Sequence, residues 1–196
     1  MIQDVHVLIK KVRKNGFIRL IKIRNELLFD RIRGIFFGLI NTSPKFPKNL
    51  RVGKNVKNTA RHLKVGENVY IGSGCSFGGL GTIELKNQVV INRNSHFDAA
   101  SSITIGENAL VAPDCYFVDS NHMMNDGILI SAEIVKSEIH IENDVWIGRG
   151  VSVLMGTTIG ESSIIGSGAV VTKSIPPGAT AVGVPAKCIK SISSAK

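Results

Sequence analysis

The run Ile141-Glu-Asn-Asp-Val-Trp146, Ile147-Gly-Arg-Gly-Val-Ser152, Val153-Leu-Met-Gly-Thr-Thr158, Ile159-Gly-Glu-Ser-Ser-Ile164, Ile165-Gly-Ser-Gly-Ala-Val170, Val171-Thr-Lys-Ser-Ile-Pro176 decides the fold. An aliphatic residue opens every hexad, at 141, 147, 153, 159, 165 and 171, and small or polar residues fill most positions between. An amphipathic helix needs apolar spacings of three and four, and a half-buried strand needs strict alternation. A period of six meets neither. It fits a triangular coil of short parallel strands, each turn stacking its aliphatic residue on the one below.

The hexads extend upstream. Val65-Gly-Glu-Asn-Val, Leu85-Lys-Asn-Gln-Val and Ile105-Gly-Glu-Asn-Ala open similar phrases twenty residues apart, with hexads starting at 65, 71, 77, then 85, 91, 97, then 105, 111, 117. Three hexads make an eighteen-residue coil, and two more residues at a corner give twenty. Thr82-Ile83 and Ser102-Ile103 are assigned to those corner insertions. From 141 the corners tighten to eighteen, at 141, 159 and 177. The march breaks between Phe117 and Ile141, which predicts a loop over 119–138. Val52-Gly-Lys-Asn-Val reads as an irregular first rung, and Pro176-Pro177-Gly178 as the end of the regular repeat. The expected organisation is a basic helical segment and linker over 1–49, an all-β coil of short parallel strands over 50–190, and a polar tail over 191–196.

The charge is lopsided. The chain of 196 residues carries a net +9, and residues 1–49 hold eleven Lys or Arg against three acids, a net of +8. The rest is nearly balanced, so the coil is not a basic scaffold for nucleic acid, and no nucleic-acid partner is expected. No run of eighteen apolar residues marks a transmembrane span. Cys75, Cys115 and Cys188 are isolated and odd in number, which suits a reducing cytoplasm and offers no zinc set. The start Met1-Ile-Gln-Asp4 has no charged, apolar and cleavage regions in succession, so no secretory leader is expected.

Residues 1–14 space Val5, Leu8, Ile9 and Val12 helically between Lys10, Lys11, Arg13 and Lys14. Residues 17–40 continue with Phe17, Leu20, Ile32, Phe36 and Leu39 among Arg19, Lys22, Arg24, Arg31 and Arg33. One or two amphipathic helices are predicted, broken near Gly16 and ending by Gly38. Two roles are open for residues 1–40: covering the exposed end of the first coil or packing between subunits, and peripheral contact with an anionic membrane. Pro44 and Pro47 lie in the linker that follows.

Chemistry is expected where the repeat fails. His122 stands at the start of the 119–138 insertion, where a near-neutral imidazole is placed to act as a general base; a plain surface histidine is the alternative. Asn92, Asn94, His96 and Asp98 alternate, so they are expected to share one side of a rung and line a polar groove for a sugar-like polyol. His140 precedes the restart of the register, and His96, His122 and His140 together admit a zinc reading, although no spacing forces them to one point; no metal site is assigned. His6 and His62 have no argued role. Trp146 is the single tryptophan, either packing against a neighbour or walling a substrate site. The glycines of the 148–168 stretch belong to the coil and form no dinucleotide or phosphate-loop motif.

The strings Val145-Trp-Ile-Gly-Arg-Gly-Val-Ser-Val-Leu-Met-Gly-Thr-Thr-Ile-Gly160, Ile165-Gly-Ser-Gly-Ala-Val-Val-Thr-Lys173, Ile175-Pro-Pro-Gly178 and Val182-Gly-Val-Pro-Ala-Lys187 closely resemble the hexapeptide-repeat acyltransferases, over roughly residues 50–192. The branch they resemble is that of the galactoside, maltose and surface-polysaccharide O-acetyltransferases. The resemblance implies a left-handed parallel β-helix, a homotrimer with active sites between subunits, and acetyl-CoA as cosubstrate. It implies His122 as the catalytic histidine and Asn92 as the sugar-binding asparagine, with His96 or Asp98 taking further acceptor contacts. Trp146 matches an aromatic position that lines the site in many relatives. Gly148, Gly150, Ser167 and Gly168 are implied to let the pantetheine arm approach the coil, and Lys173 and Lys187 to neutralise its phosphates. An acidic residue that some relatives place near the acceptor falls on Ala100 here, which puts galactoside or maltose specificity in doubt.

The implied reaction is O-acetylation of a sugar in a bacterial-type surface polysaccharide or its precursor, in the cytoplasm or at the inner face of the membrane. N-acetylation of an amino sugar, free or nucleotide-linked, remains open, with Asp98 and Asp119 as carboxylates for an ammonium acceptor. A carbonic anhydrase-like metal enzyme and a non-catalytic trimeric scaffold on the same coil are the further alternatives.

Overall fold

The computed structural model describes residues 25–41, 47–125 and 128–191, with side chains of 124–133, 190 and 191 left aside. The expected helix over residues 1–14 lies outside the described residues. The hexads form a left-handed parallel β-solenoid, preceded among the described residues by one helix. Its three faces are three parallel ladders. The first runs Arg51–Val52, Tyr70–Ile71, Val90–Ile91, Leu110–Val111, Trp146–Ile147, Ile164–Ile165 and Ala179–Val182. The second runs Lys57–Asn58, Ser76–Gly78, His96–Asp98, Tyr116–Val118, Ser152–Leu154 and Val170–Val171. The third runs His62–Val65, Thr82–Leu85, Ser102–Ile105, Ile139–Ile141 and Thr158–Ile159.

The register follows directly from the aliphatic positions. Ile71, Ile91, Val111, Ile147 and Ile165 stack on the first face, each essentially inaccessible to solvent. Leu85, Ile105, Ile141 and Ile159 stack on the third. On the second face Phe77, Phe97 and Phe117 are buried and parallel, with ring centroids 5.1 Å and then 4.5 Å apart. Strands in a ladder are spaced about 4.7–4.9 Å, so the ladder spacing itself stacks the rings. Burying each such side chain contributes on the order of 1.5–3 kcal/mol.

Two of the corners need a left-handed backbone in successive coils. Asn68, Gln88, Asn108, Asp144, Ser162 and Gly178 hold positive φ before the first face, and Asn55, Gly74, Asn94, Asp114, Gly150 and Gly168 hold it after. Asn, Asp and Gly tolerate this conformation best. Side chains at these corners also bond from coil to coil: Asn94 Nδ2 donates to Asp114 Oδ1 at 3.2 Å, and Asn108 Nδ2 to Asp144 Oδ1 at 3.1 Å.

Several expectations are corrected. Val52-Gly-Lys-Asn-Val pairs as a parallel rung, with Arg51 against Tyr70 and Val52 against Ile71, and differs from the next rungs only in a step of nineteen residues where Tyr70 to Val90 is twenty. Thr82-Ile83 and Ser102-Ile103 are not corner insertions: they lengthen the third-face strands, and Ile83 and Ile103 point into the core. The last step is sixteen residues rather than eighteen, since Ile159 bridges Ile175 and Ile165 pairs with Ala181. The coil does not stop at Pro176-Pro177-Gly178: Ala179–Val182 adds a further parallel strand, against which Lys187–Ser191 folds back antiparallel. The segment 119–138 is a hairpin rather than a loop, with Ser120–Asn125 antiparallel to Ile128–Lys136. Finally, the helix described over residues 25–41 runs through Gly38 instead of ending there.

That helix, α1, lies on the open end of the coil. Gly34 and Gly38 are buried, and a Cβ on Gly34 would meet the Leu50 carbonyl oxygen at 2.0 Å, so glycine permits the close approach. Arg33 Nε donates to the Val52 carbonyl at 2.9 Å, and the Arg33 guanidinium pairs with Asp30. The Asn41 amide oxygen accepts from Asn58 Nδ2 at 2.9 Å. These contacts occupy the hydrogen-bonding edge that the first rung would otherwise expose.

Candidate active site

The second face carries an open groove of about 390 Å³. Ser76, His96 and Tyr116 stack outward in one row, and Gly78, Asp98 and Val118 in the next. His96 Nδ1 lies 2.7 Å from Ser76 Oγ, and Tyr116 is substantially exposed below it. Gly78 leaves the space beside Asp98 open, whereas Gly79 lies close against the Ala99 backbone. The groove is polar and offers a hydroxyl, an imidazole, a phenol and a carboxylate, the donor and acceptor mix that suits a polyol.

His122 lies beyond the end of this groove. Asp119 is fully buried at the foot of the hairpin; its backbone N–H meets the Asp98 carbonyl at 3.4 Å, and its own carbonyl accepts from Ser137 N–H at 2.9 Å. The chain then turns outward, and His122 stands exposed opposite Ile134, its N–H bonded to Asn121 Oδ1 at 2.9 Å. The insertion therefore displays the imidazole from an otherwise continuous wall.

The alternating residues divide between two places. His96 and Asp98 line the groove, whereas Asn92 and Asn94 occupy the corner between the first and second faces. Asn92 is half-buried and its Nδ2 donates to the Val111 carbonyl at 3.1 Å. The expected four-residue row is broken because Asn94 takes the left-handed corner conformation. Asp119 is also removed from the acid–base candidates, since Oδ1 and Oδ2 accept the N–H groups of Ala100 and Ser101. Within one chain His96 sits on the second face, His140 on the third and His122 on the hairpin, so the three do not converge.

The donor-side candidates separate as well. Gly148 is buried, and a Cβ there would meet the Ile165 carbonyl and the Ser167 nitrogen, each at 2.7 Å. Its lack of a side chain serves the close stacking of the coils. Gly150, Ser167 and Gly168 are exposed at the corner between the first two faces, and a Cβ on either glycine would meet open space. Lys173 and Lys187 are exposed. Trp146 points outward from the first face between Leu110 and Ile164, and all three are more than a third exposed.

Sequence reasoning missed Ser76, Gly78 and Tyr116 as groove residues and Arg149, whose Nε donates to Asp114 Oδ2 at 2.8 Å. The twenty-residue period places 76 and 116 directly beside His96, so the signal was present in the repeat.

A family model described as bacterial transferase hexapeptide (six repeats) matches residues 138–173. The "Putative lipopolysaccharide biosynthesis O-acetyl transferase WbbJ" of Escherichia coli is 31% identical over 189 residues, covering 89% of this chain and 88% of that protein. The chain belongs to the hexapeptide-repeat acyltransferase superfamily. Galactoside O-acetyltransferase of Escherichia coli is a further relative, 35% identical over 128 residues, covering 65% of this chain and 63% of that protein. The chain spans about half the length of other curated relatives, 44% of one and 49% of another. Among solved structures of the superfamily, a galactoside acetyltransferase in complex with coenzyme A superposes with a TM-score of 0.51 at 27% identity, over 85% of this chain and 82% of that one.

Proposed function

We propose that the protein transfers the acetyl group of acetyl-CoA to a hydroxyl of a sugar in a surface polysaccharide or its precursor. The observation that carries this reading is the exposed His122 on a hairpin that rises from the end of the polar groove holding His96 and Asp98. The galactoside, lipopolysaccharide and coenzyme A descriptions of the relatives support the donor and the acceptor class.

His122 takes the proton of the acceptor hydroxyl as that oxygen attacks the thioester carbonyl. A backbone N–H facing the carbonyl stabilises the oxyanion. The C–S bond then breaks, the CoA sulfur takes the proton back from the imidazolium, and the products are the sugar ester and CoA. Holding both substrates in one cleft supplies much of the acceleration. Gly150, Ser167 and Gly168 offer a low corner along which an amide-rich arm can lie, and Lys173 and Lys187 offer cations for its phosphates.

We assign the working form as a homotrimer. Asn92 and His122 stand at opposite edges of the second face, so a site using both draws them from two copies. The exposed row Leu110, Trp146 and Ile164 supplies an apolar surface for such packing. The three unpaired cysteines suit a cytoplasmic setting.

N-acetylation of an amino sugar is the second reading, favoured by the exposed Asp98 carboxylate in the groove. The test is CoA-thiol release with a panel of neutral and amino sugars and glycans, followed by mapping of the product. A base-labile ester supports the first reading, a base-stable amide the second, and acetyl-CoA consumption without either product contradicts both.

A further inference from the structure

Helix α1 is mounted with its large apolar side chains facing away from the protein. At about 100° per residue, Gly34, Phe37, Gly38 and Asn41 turn toward the coil and are buried or half-buried. On the opposite side Leu28, Ile32, Ile35, Phe36, Leu39 and Ile40 are 55, 38, 50, 62, 67 and 80% exposed. Two glycines, Phe37 and an asparagine serve as the packing face, while the apolar stripe has no partner among the described residues. Such a contiguous patch marks an interaction surface.

Beside the stripe lies a cleft of about 410 Å³ between α1 and the first rung, lined by Asn25, Leu27, Leu28, Arg31 and Arg51. Arg51 stacks over the Tyr70 ring at 5.1 Å, which fixes its guanidinium. Neither Arg31 nor Arg51 forms an ion pair among the described residues, in contrast to Arg33, which is paired with Asp30. Two uncommitted guanidinium groups beside leucines suit an anionic phosphate attached to a hydrocarbon.

We propose that α1 docks the protein on an anionic membrane surface, its apolar stripe entering the acyl boundary and the Arg31–Arg51 cleft receiving a lipid phosphate. The alternative occupant is the same stripe of a second copy. Charge decides between them: residues 1–49 carry a net +8, so joining these segments in a symmetric assembly brings like charges together, whereas an anionic surface attracts them. A helix with a strongly apolar face and a basic flank lies in the interface plane. No described helix is long and apolar enough to cross a membrane.

The experiment is flotation of the full chain with vesicles of equimolar phosphatidylcholine and phosphatidylglycerol, beside vesicles of phosphatidylcholine alone. The wild type is expected to float with the anionic vesicles and much less with the neutral ones. Phe36→Asp/Leu39→Asp should lower binding at least tenfold while sedimentation velocity shows an unchanged assembly and circular dichroism an unchanged fold. Arg31→Gln and Arg51→Gln should each lower binding about fivefold, as expected for one basic residue at such a surface. Equal flotation with both vesicle types would overturn the phosphate site. Loss of the assembly in Phe36→Asp/Leu39→Asp, or wild-type flotation by that variant, would overturn the membrane assignment. Acetyl transfer to a soluble acceptor does not enter this readout, so the two readings stand or fall separately.

Discussion

Asp119 clamps Ala100: its Oδ1 accepts the Ala100 N–H at 2.6 Å, while Oδ2 takes the neighbouring Ser101 N–H at 2.8 Å. The carboxylate is fully buried and closes the corner from which the His122 hairpin departs. Replacing it by leucine strands two part-buried donors, each costing up to about 1–3 kcal/mol. Asp119→Asn keeps the shape but turns a donor toward one N–H. Denaturant unfolding should show both variants destabilised, Asp119→Leu more, and both should lose turnover through misplacement of His122. Wild-type stability in Asp119→Leu would show that the clamp is dispensable.

Glycines 148 and 168 separate two requirements that look identical in the repeat. At Gly148 a methyl group collides with backbone of the next coil, so Gly148→Ala should cost about 1–3 kcal/mol as overpacking. At Gly168 the space is open and φ is +72°, a conformation that Asn55 and Asn94 already hold at equivalent corners. Gly168→Asn should therefore unfold near the wild-type midpoint while raising the KM for acetyl-CoA, because its side chain obstructs the donor corner. An unchanged KM would remove Gly168 from the donor surface.

The coil was legible because its core positions are the periodic positions: aliphatic residues six apart in sequence meet those of neighbouring coils in register. The corners were less legible. Ile83 and Ile103 look like corner residues in a six-residue count, but burial draws them into longer strands. The shortening to sixteen residues at Ile159–Ile175 leaves no mark in the hexad count. At the site, His122 was visible as a histidine where the repeat breaks. The split of Asn92 from His96 and Asp98 was hidden, since alternation places residues on one side only while the chain stays extended, and Asn94 turns the corner. The difference between Gly148 and Gly168 was hidden because a glycine needed for stacking and one left open to solvent have the same letter.

Cysteine chemistry gives a further check. Burial pushes the Cys75 thiol up to about 11 and raises that of Cys115, whereas Cys188 is exposed. Because burial disfavours the thiolate, Cys75 stays protonated and unreactive until the solution is strongly alkaline. Titration with a chromogenic disulfide at mildly alkaline pH should find one reactive thiol per native chain, at Cys188, and three after denaturation. Rapid native reaction of Cys75 would contradict the packing between the first two faces.

The exposure of His122 on the hairpin that leaves the Asp98 end of the groove is the basis for assigning acetyl transfer. Turnover of acetyl-CoA by His122→Ala, measured with an accepting sugar and beside direct CoA binding, tests it most directly. Removing a positioned general base typically costs about 10²–10⁴-fold in rate, so transfer should fall by that factor while CoA affinity, assembly and unfolding midpoint stay at the wild-type values. Acetyl transfer by His122→Ala at a near-normal rate would contradict the assignment.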